Sequence, residues 1–426
     1  MRKKYIPGFL FFLTLLLAFS AEAQTAVISL EESKSLALEN NKKILAARYN
    51  IEAAGNAYEA AKLNNLPSFN ASLMGLHVGK PLSSLLPAAL VNAGVDVQQP
   101  IYIGGKVKLG KEVTGKLVEI SKGQKRMTES EVLLAVESAY WQTVQVKEKI
   151  KLAEKYREML LVLQRDLQHS FDAGLIYKND LLRVEVSLNE AELNLSKARD
   201  GLALSTLNLA QLIGQPGNTD LVISDTVGGS FQQLQPAGLG NMADSRPEIE
   251  VLKKIIDAEQ LQTRLIKADM KPAIGIGVSG IGAAGKHINF ANGNNLMTTY
   301  YAAVNLSVPI FDWGKNKKKA SEQESKIKAS QMQLDETKEM VNLQIQQAYL
   351  QLNHSVRKIS LSGLSLKQAE ENLRLANDRY EAGTIVVKDV QEAQAIWQNA
   401  YSSLIDAQVE YKINDAVYRK VTGVIQ

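Results

Sequence analysis

Apolar residues along this chain follow two rhythms, and each rhythm occurs in both halves. In the first, they recur at steps of three and four. One seam runs Leu181, Val184, Leu188, Ala191, Leu195, Ala198, Leu202, and another runs Val390, Ala393, Trp397, Ala400, Leu404, Ala407, Tyr411. A third passes through Val132, Val136, Ala139, Thr143, Val146, Ile150 and Ala153. Heptad seams predict helices that supercoil side by side. No proline interrupts Lys106 to His169 or Lys315 to Asp378. Each stretch of about 64 residues then reaches roughly 95 Å, too long to fold into a compact globule, so the rods must project.

The second rhythm has period two. Val91-Asn92-Ala93-Gly94-Val95-Asp96-Val97-Gln98 alternates apolar and polar without a break, and Tyr300, Ala302, Val304, Leu306 and Val308 alternate with Tyr301, Ala303, Asn305 and Ser307. Ser68 to Val78 and Ala273 to Ile281 are their partners. These are predicted strands of the length that crosses a bilayer as β-structure. Hairpins of a soluble sheet are the competing reading.

The two halves repeat each other. Phe171-Asp172-Ala173-Gly174-Leu175-Ile176 and Asp180 recur 209 residues later as Tyr380-Glu381-Ala382-Gly383-Thr384-Ile385 and Asp389. Pro100 and Pro309, Tyr102 and Phe311, Gly105 and Gly314 keep that offset, whereas Pro67 and Pro272 stand 205 apart. Four residues are therefore gained between the paired prolines, as expected where a hairpin tip tolerates insertion. The organisation expected is a first repeat over 24–214, with strands about 68–78 and 91–101 and helices about 104–169 and 177–213. A linker spans 215–245, with Leu221-Val222-Ile223 extended in a belt around the middle of the rods. The second repeat covers 246–426, with strands about 273–283 and 299–310 and helices about 313–378 and 386–422.

Composition adds an address. Residues 1–23 read as a secretory signal: Arg2, Lys3 and Lys4 precede an apolar run from Phe9 to Phe19, and Ala21-Glu22-Ala23 offers a cleavage site. Cysteine is absent, which removes disulfides and thiolate metal sites. The formal charge of +4 for the whole chain carries no nucleic-acid signal. No cofactor or metal is expected: the four histidines are scattered, and Gly275-Ile276-Gly277-Val278-Ser279-Gly280 matches a dinucleotide fingerprint without the strand-turn-helix context it needs. No nucleophile elbow or phosphate loop appears, so no enzyme is expected.

Four strands cannot close a barrel, and open edges in lipid leave backbone groups unsatisfied. Identical copies must complete it, and three copies with twelve strands give the smallest barrel with an open lumen. The fold class expected is mainly α with β: long antiparallel coiled-coil helices plus four transmembrane strands per chain, forming a trimeric barrel and an α-helical tunnel. Pro100 and Pro309 stand where pairing should stop. Tyr102, Phe311 and Trp313 follow at the depth of an aromatic belt, beside Gly105 and Gly314. Lys106, Lys108 and Lys111, and Lys315, Lys317, Lys318 and Lys319, then open the rods against the helix dipole, for contact with phospholipid headgroups or for solvation alone.

The residues Arg246-Pro247-Glu248-Ile249, Pro309-Ile310-Phe311-Asp312-Trp313-Gly314-Lys315, Ala139-Tyr140-Trp141 and Tyr380-Glu381-Ala382-Gly383-Thr384 resemble the TolC-like outer-membrane efflux proteins, in order and over the whole mature chain. The resemblance implies a homotrimeric duct in the outer membrane with a tunnel in the periplasm. Its implied partners are a periplasmic adaptor (membrane fusion) protein, an inner-membrane pump of RND or ABC type, and outer-membrane lipid. It also implies a periplasmic gate in which Asp389 and Glu392 form acidic rings while Asp180 and Tyr380 belong to a network tying neighbouring coils. Ile385 departs from the arginine of that network, so a salt link is missing. Acids in a first turn also have the ordinary role of favouring the helix dipole. Gly174 and Gly383 mark the tip turns. Leu175, Ile176, Ile385, Val386 and Val387, expected to lie exposed beside them, are read with Thr384 as an adaptor-docking surface or as packing within the trimer. The rival functions are a soluble periplasmic coiled-coil adaptor and a structural coiled-coil protein.

Overall fold

The computed structural model describes residues 27–234 and 242–424; the expected signal sequence lies outside them. The elements in order are β1 (Val27–Ile28), α1 (Leu30–Asn40), α2 (Lys42–Leu63), β2 (Ser68–His77), β3 (Ala89–Ile103), α3 (Lys106–Asp172), α4 (Lys178–Leu212), β4 (Val222–Ile223), α5 (Pro247–Ala268), β5 (Ala273–Gly285), β6 (Leu296–Ser307), α6 (Lys315–Glu381) and α7 (Val387–Val421). α3 and α6 both contain 67 residues and α4 and α7 both contain 35. No described helix is long and apolar enough to cross a membrane.

Two compact units emerge, each gathering segments from both halves of the sequence. Among the described residues, the first comprises those up to Ala46, those within 127–246 and those from Val341 onward. Its helices bury the predicted seams: Val132, Val136, Ala139, Leu181, Val184, Val390, Ala393 and Trp397 are all in the core. Glu137, only 2% exposed, accepts from the Arg419 guanidinium at 2.5 Å and lies 3.0 Å from the Lys34 ammonium. Three helices thus meet on one buried carboxylate, which is tolerable only because both cations stay in place. Within the linker, β4 pairs in parallel with β1. Beyond it, the Tyr140 hydroxyl donates to Asp225 at 2.6 Å, and Asn353 binds both backbone groups of Leu234. Burial, with Asp225 adding to it, holds the Tyr140 hydroxyl above the usual tyrosine range.

The second unit comprises Ala47–Arg126 and Pro247–Met340. Within it, α5 and the first part of α6 share a core of Ile249, Ile256 and Leu334. Its sheet has the order β2-β3-β5-β6, antiparallel throughout. Register sorts the side chains into two faces, because residues directly opposite each other share a face. Phe69, Leu73, Val91, Val95, Val97, Val278, Tyr300 and Val304 fall on one, while Ser68, Asn70, Asn92, Asp96, Gln98, Ser279 and Asn305 fall on the other. The apolar face is largely bare: Phe69, Leu73, Tyr300 and Val304 are among the most exposed large side chains of the chain.

Three expectations need correction here. Pro100 does not end its strand. β3 continues to Ile103 through a bulge between Pro100 and Tyr102, and β2 pairing has already stopped at Gln98, so the missing N–H leaves no rung broken on that side. β6 ends at Ser307, before Pro309, because that proline and the residues after it turn into α6. The four-residue difference between the hairpins does not enlarge a tip. Ladders run from Ser68–Gln98 to His77–Ala89 and from Ala273–Ser307 to Ala284–Leu296, with equal intervening loops. The second hairpin gains two residues on each strand, a paired change that preserves the alternation of faces.

Candidate functional site at the helix turns

Two turns close the helical hairpins of the first unit. At the end of α3, Gly174 adopts φ 73°, its N–H donates to Phe171, and the Leu175 N–H reaches back to the Ser170 carbonyl. At the end of α6, Gly383 adopts φ 69°, with the matching bonds to Tyr380 and from Thr384 to Arg379. This six-to-one bond pattern around a left-handed residue explains why glycine stands at both positions. The Thr384 hydroxyl also donates to the Arg379 carbonyl, at 2.9 Å.

The apolar residues beside these turns divide. Leu175 and Tyr177 are 78% and 84% exposed, and Val386 is exposed as well. Val387 is 5% exposed, and Ile176 and Ile385 pack against the same cluster, which holds Leu160, Leu163, Leu167, Leu181, Val184 and Val390. The expectation that Ile176, Ile385 and Val387 lie open at the tip is therefore corrected: a helix start directed between two hairpins buries one side of its turn. Ile385 makes apolar contact where the family resemblance anticipated a charged link.

Asp180 and Asp389 occupy the third position of α4 and α7. Asp389 is exposed, and its carboxylate accepts the Val386 N–H at 3.3 Å, so it caps its own helix. Glu392, also exposed, follows one turn later on that face. Tyr380 is half-buried in the cluster, and desolvation, reinforced by Asp166 and Asp180, holds its hydroxyl above the usual range. The structure thus brings Tyr380 and Asp180 into one neighbourhood and adds Asp166, which the sequence reading missed because its position depends on the rotation of α3. One turn further along, the Gln391 amide donates to Ser187 at 3.2 Å and joins α7 to α4.

The junction residues sit at the foot of the sheet. Gly105 and Gly314 have φ 86° and 78°. Phe311 and Trp313 are exposed and stack edge to face at 4.8 Å, and Tyr102 is exposed on β3. Asp312, part of the junction motif but given no role from sequence, accepts from the Gly314 and Asn316 N–H groups at 3.0 and 2.9 Å and caps α6. An aspartate three residues ahead of a helical run was the available signal. Among the described residues, no group of three or more His, Asp or Glu side chains is placed to hold a metal.

The family model described as outer membrane efflux protein matches residues 34–215 and 239–424. Among curated relatives, the alkaline protease secretion protein AprF of Pseudomonas aeruginosa is 26% identical over 314 residues, covering 70% of this chain and 63% of AprF. Protein CyaE of Bordetella pertussis is 22% identical over 63% of this chain and 57% of its own length. The chain therefore spans less than two thirds of either relative. Among solved structures, the outer membrane protein VceC of Vibrio cholerae superposes with a TM-score of 0.75 at 15% identity, covering 92% of this chain and 96% of VceC.

Proposed function

Because the chain belongs to the outer membrane efflux protein family, we propose that it forms one third of an outer-membrane channel that conducts solutes or proteins out of the periplasm. One observation carries this reading: a four-stranded sheet with one bare apolar face, one polar face and two unpaired edge strands. Such a sheet is stable in lipid only when its edges are paired, and three copies give twelve strands around a polar lumen. A second apolar seam on α4, Leu182, Val186, Leu193 and Leu204, is exposed in the single chain and supports helix packing against a neighbouring copy.

At the helix turns, Asp389 and Glu392 from three copies place six carboxylates around the axis. They favour cations at the mouth, as rings of acids do in other pores. Leu175, Tyr177 and Val386 form the apolar tip that meets a periplasmic adaptor, which links the duct to an inner-membrane pump. AprF is named for secretion of alkaline protease; a type I secretion role is therefore included with efflux, and no catalytic step belongs to the reading.

The test is conductance of the detergent-purified protein in a planar bilayer. Discrete channels with cation selectivity are expected, and Asp389→Asn with Glu392→Gln shifts the reversal potential toward zero. A monomer that stays in solution without detergent and gives no conductance overturns the proposal.

A further inference from the structure

Lysines crowd the starts of both long rods, with Lys106 and Lys108 in the first turn of α3 and Lys111 just beyond it, and Lys315, Lys317 and Lys318 in the first turn of α6; neither first turn holds an acid. Cations there oppose the helix dipole, so the arrangement works against helix formation in both copies. Local pairing relieves only part of this. Lys106 meets Asp269 at 2.6 Å, and nearby Lys62 meets Glu59 at 2.5 Å while its ammonium sits 4.4 Å from the centre of the Tyr58 ring. Lys108, Lys111, Lys315, Lys317 and Lys318 have no carboxylate partner among the described residues.

Bare apolar groups adjoin these charges. Ile310 and Trp313 are 93% and 89% exposed just before the α6 lysines. On the other copy, Ile101 and Tyr102 are exposed and line one groove with Lys62, Lys108 and Lys111. A groove lined by both lysine ammonium groups and apolar side chains matches an amphiphilic anion, with its phosphate among the lysines and its chain along Ile101 and Tyr102. Solvation alone accounts for the lysines but not for the exposed Ile101 and Tyr102 beside them.

We propose that the foot of the sheet is an anionic phospholipid-binding collar, with one groove at the β3–α3 junction and a second contact at Trp313 and Lys315 to Lys318. The collar rests on the membrane-spanning reading of the sheet. It places the lipid leaflet that faces the periplasm at the level of the strand ends, where polybasic segments attract anionic headgroups.

The experiment is native mass spectrometry of the intact detergent-solubilised assembly, with phosphatidylglycerol and phosphatidylethanolamine at equal concentration. Retention of phosphatidylglycerol in preference to phosphatidylethanolamine is expected, weakening about fivefold for each lysine removed in Lys108→Gln and Lys111→Gln. Lys108→Arg with Lys111→Arg retains the preference. Equal retention of both lipids by the unaltered protein overturns the collar, a result that needs no variant to fold. Displacement of phosphatidylglycerol by millimolar inorganic phosphate also overturns it, because a plain anion site then suffices. Bilayer conductance of the same preparation separates the two readings: a conducting protein without lipid preference loses only the collar, and a non-conducting monomer loses both.

Discussion

Gly104 and Gly105 stand side by side in left-handed conformations, with φ 70° and 86°, yet they answer to different constraints. A Cβ on Gly104 would come within 2.7 Å of the Ala268 carbonyl oxygen and 2.9 Å of the Lys271 Cβ, whereas one on Gly105 would meet nothing within 4 Å. Gly105→Ala therefore carries only the conformational cost, about 1–2 kcal/mol. Gly104→Ala carries that cost plus a clash with backbone that cannot rotate away. The expected outcome is a clearly larger drop in thermal unfolding temperature for Gly104→Ala than for Gly105→Ala; equal drops would show that space at Gly104 is not limiting. The second repeat makes the same point in reverse. Trp313 occupies the place of Gly104, with φ 57°, and it is tolerated because its side chain points into open surroundings. Sequence alone marks Gly105 and Gly314 through the repeat, but it cannot reveal that position 104 is crowded and position 313 is not. That distinction depends on what α5 places opposite.

The helical hairpins were largely legible because their signals are local. Heptad spacing, the absence of proline and paired glycines at the turns each act within a few residues, and the observed ends of α3 and α6 fall just past the predicted ones. The rotation of one helix against another is not local, so the sequence does not reveal that Asp166 lies beside Tyr380 or that Ile385 is packed against the cluster. The buried tyrosine at this tip gives a pH dependence with a definite sign. Desolvation disfavours the Tyr380 phenolate, with Asp166 and Asp180 adding repulsion, so the folded tip holds this proton more tightly than an unfolded one. Its contribution to stability is complete below about pH 10, the ordinary tyrosine value, and is lost as pH rises above it. Tyr156, in the same cluster, is raised by burial and by Glu190 and acts in the same direction. Proteinase K nicking at residues 384–386 should accelerate as pH rises above about 10 and not below it. Tyr380→Phe removes part of the acceleration, and adding Tyr156→Phe removes more. An unchanged pH profile in the double variant would place the alkaline-labile group elsewhere.

At the scale of the whole molecule, the four strands leave the largest unresolved demand, because β2 and β6 each keep one row of backbone donors and acceptors unpaired. Alternation made the strands visible in the sequence; in the proposed trimer their partners across the edges lie in other chains and have no local signal. The strand order nonetheless restricts the solution. Every neighbour in β2-β3-β5-β6 is antiparallel and the count is even, so β2 and β6 run in opposite directions. Placing the β6 edge of one copy beside the β2 edge of the next thus continues the antiparallel pattern around a head-to-tail ring. An odd number of strands would have forced a parallel seam at each junction. Absence of cysteine makes this seam directly testable by cross-linking. Asn70 on β2 and Tyr301, Ala303, Asn305 and Ser307 on β6 share the polar face, so Asn70→Cys combined in turn with cysteine at each β6 position scans the register. Disulfide formation requires Cα atoms within roughly 7 Å, so only one or two combinations should close. Oxidised samples of those combinations should show bands on a denaturing gel that end at three chains. A ladder ending at two chains would instead imply eight strands, whose barrel interior is filled by side chains and offers no duct.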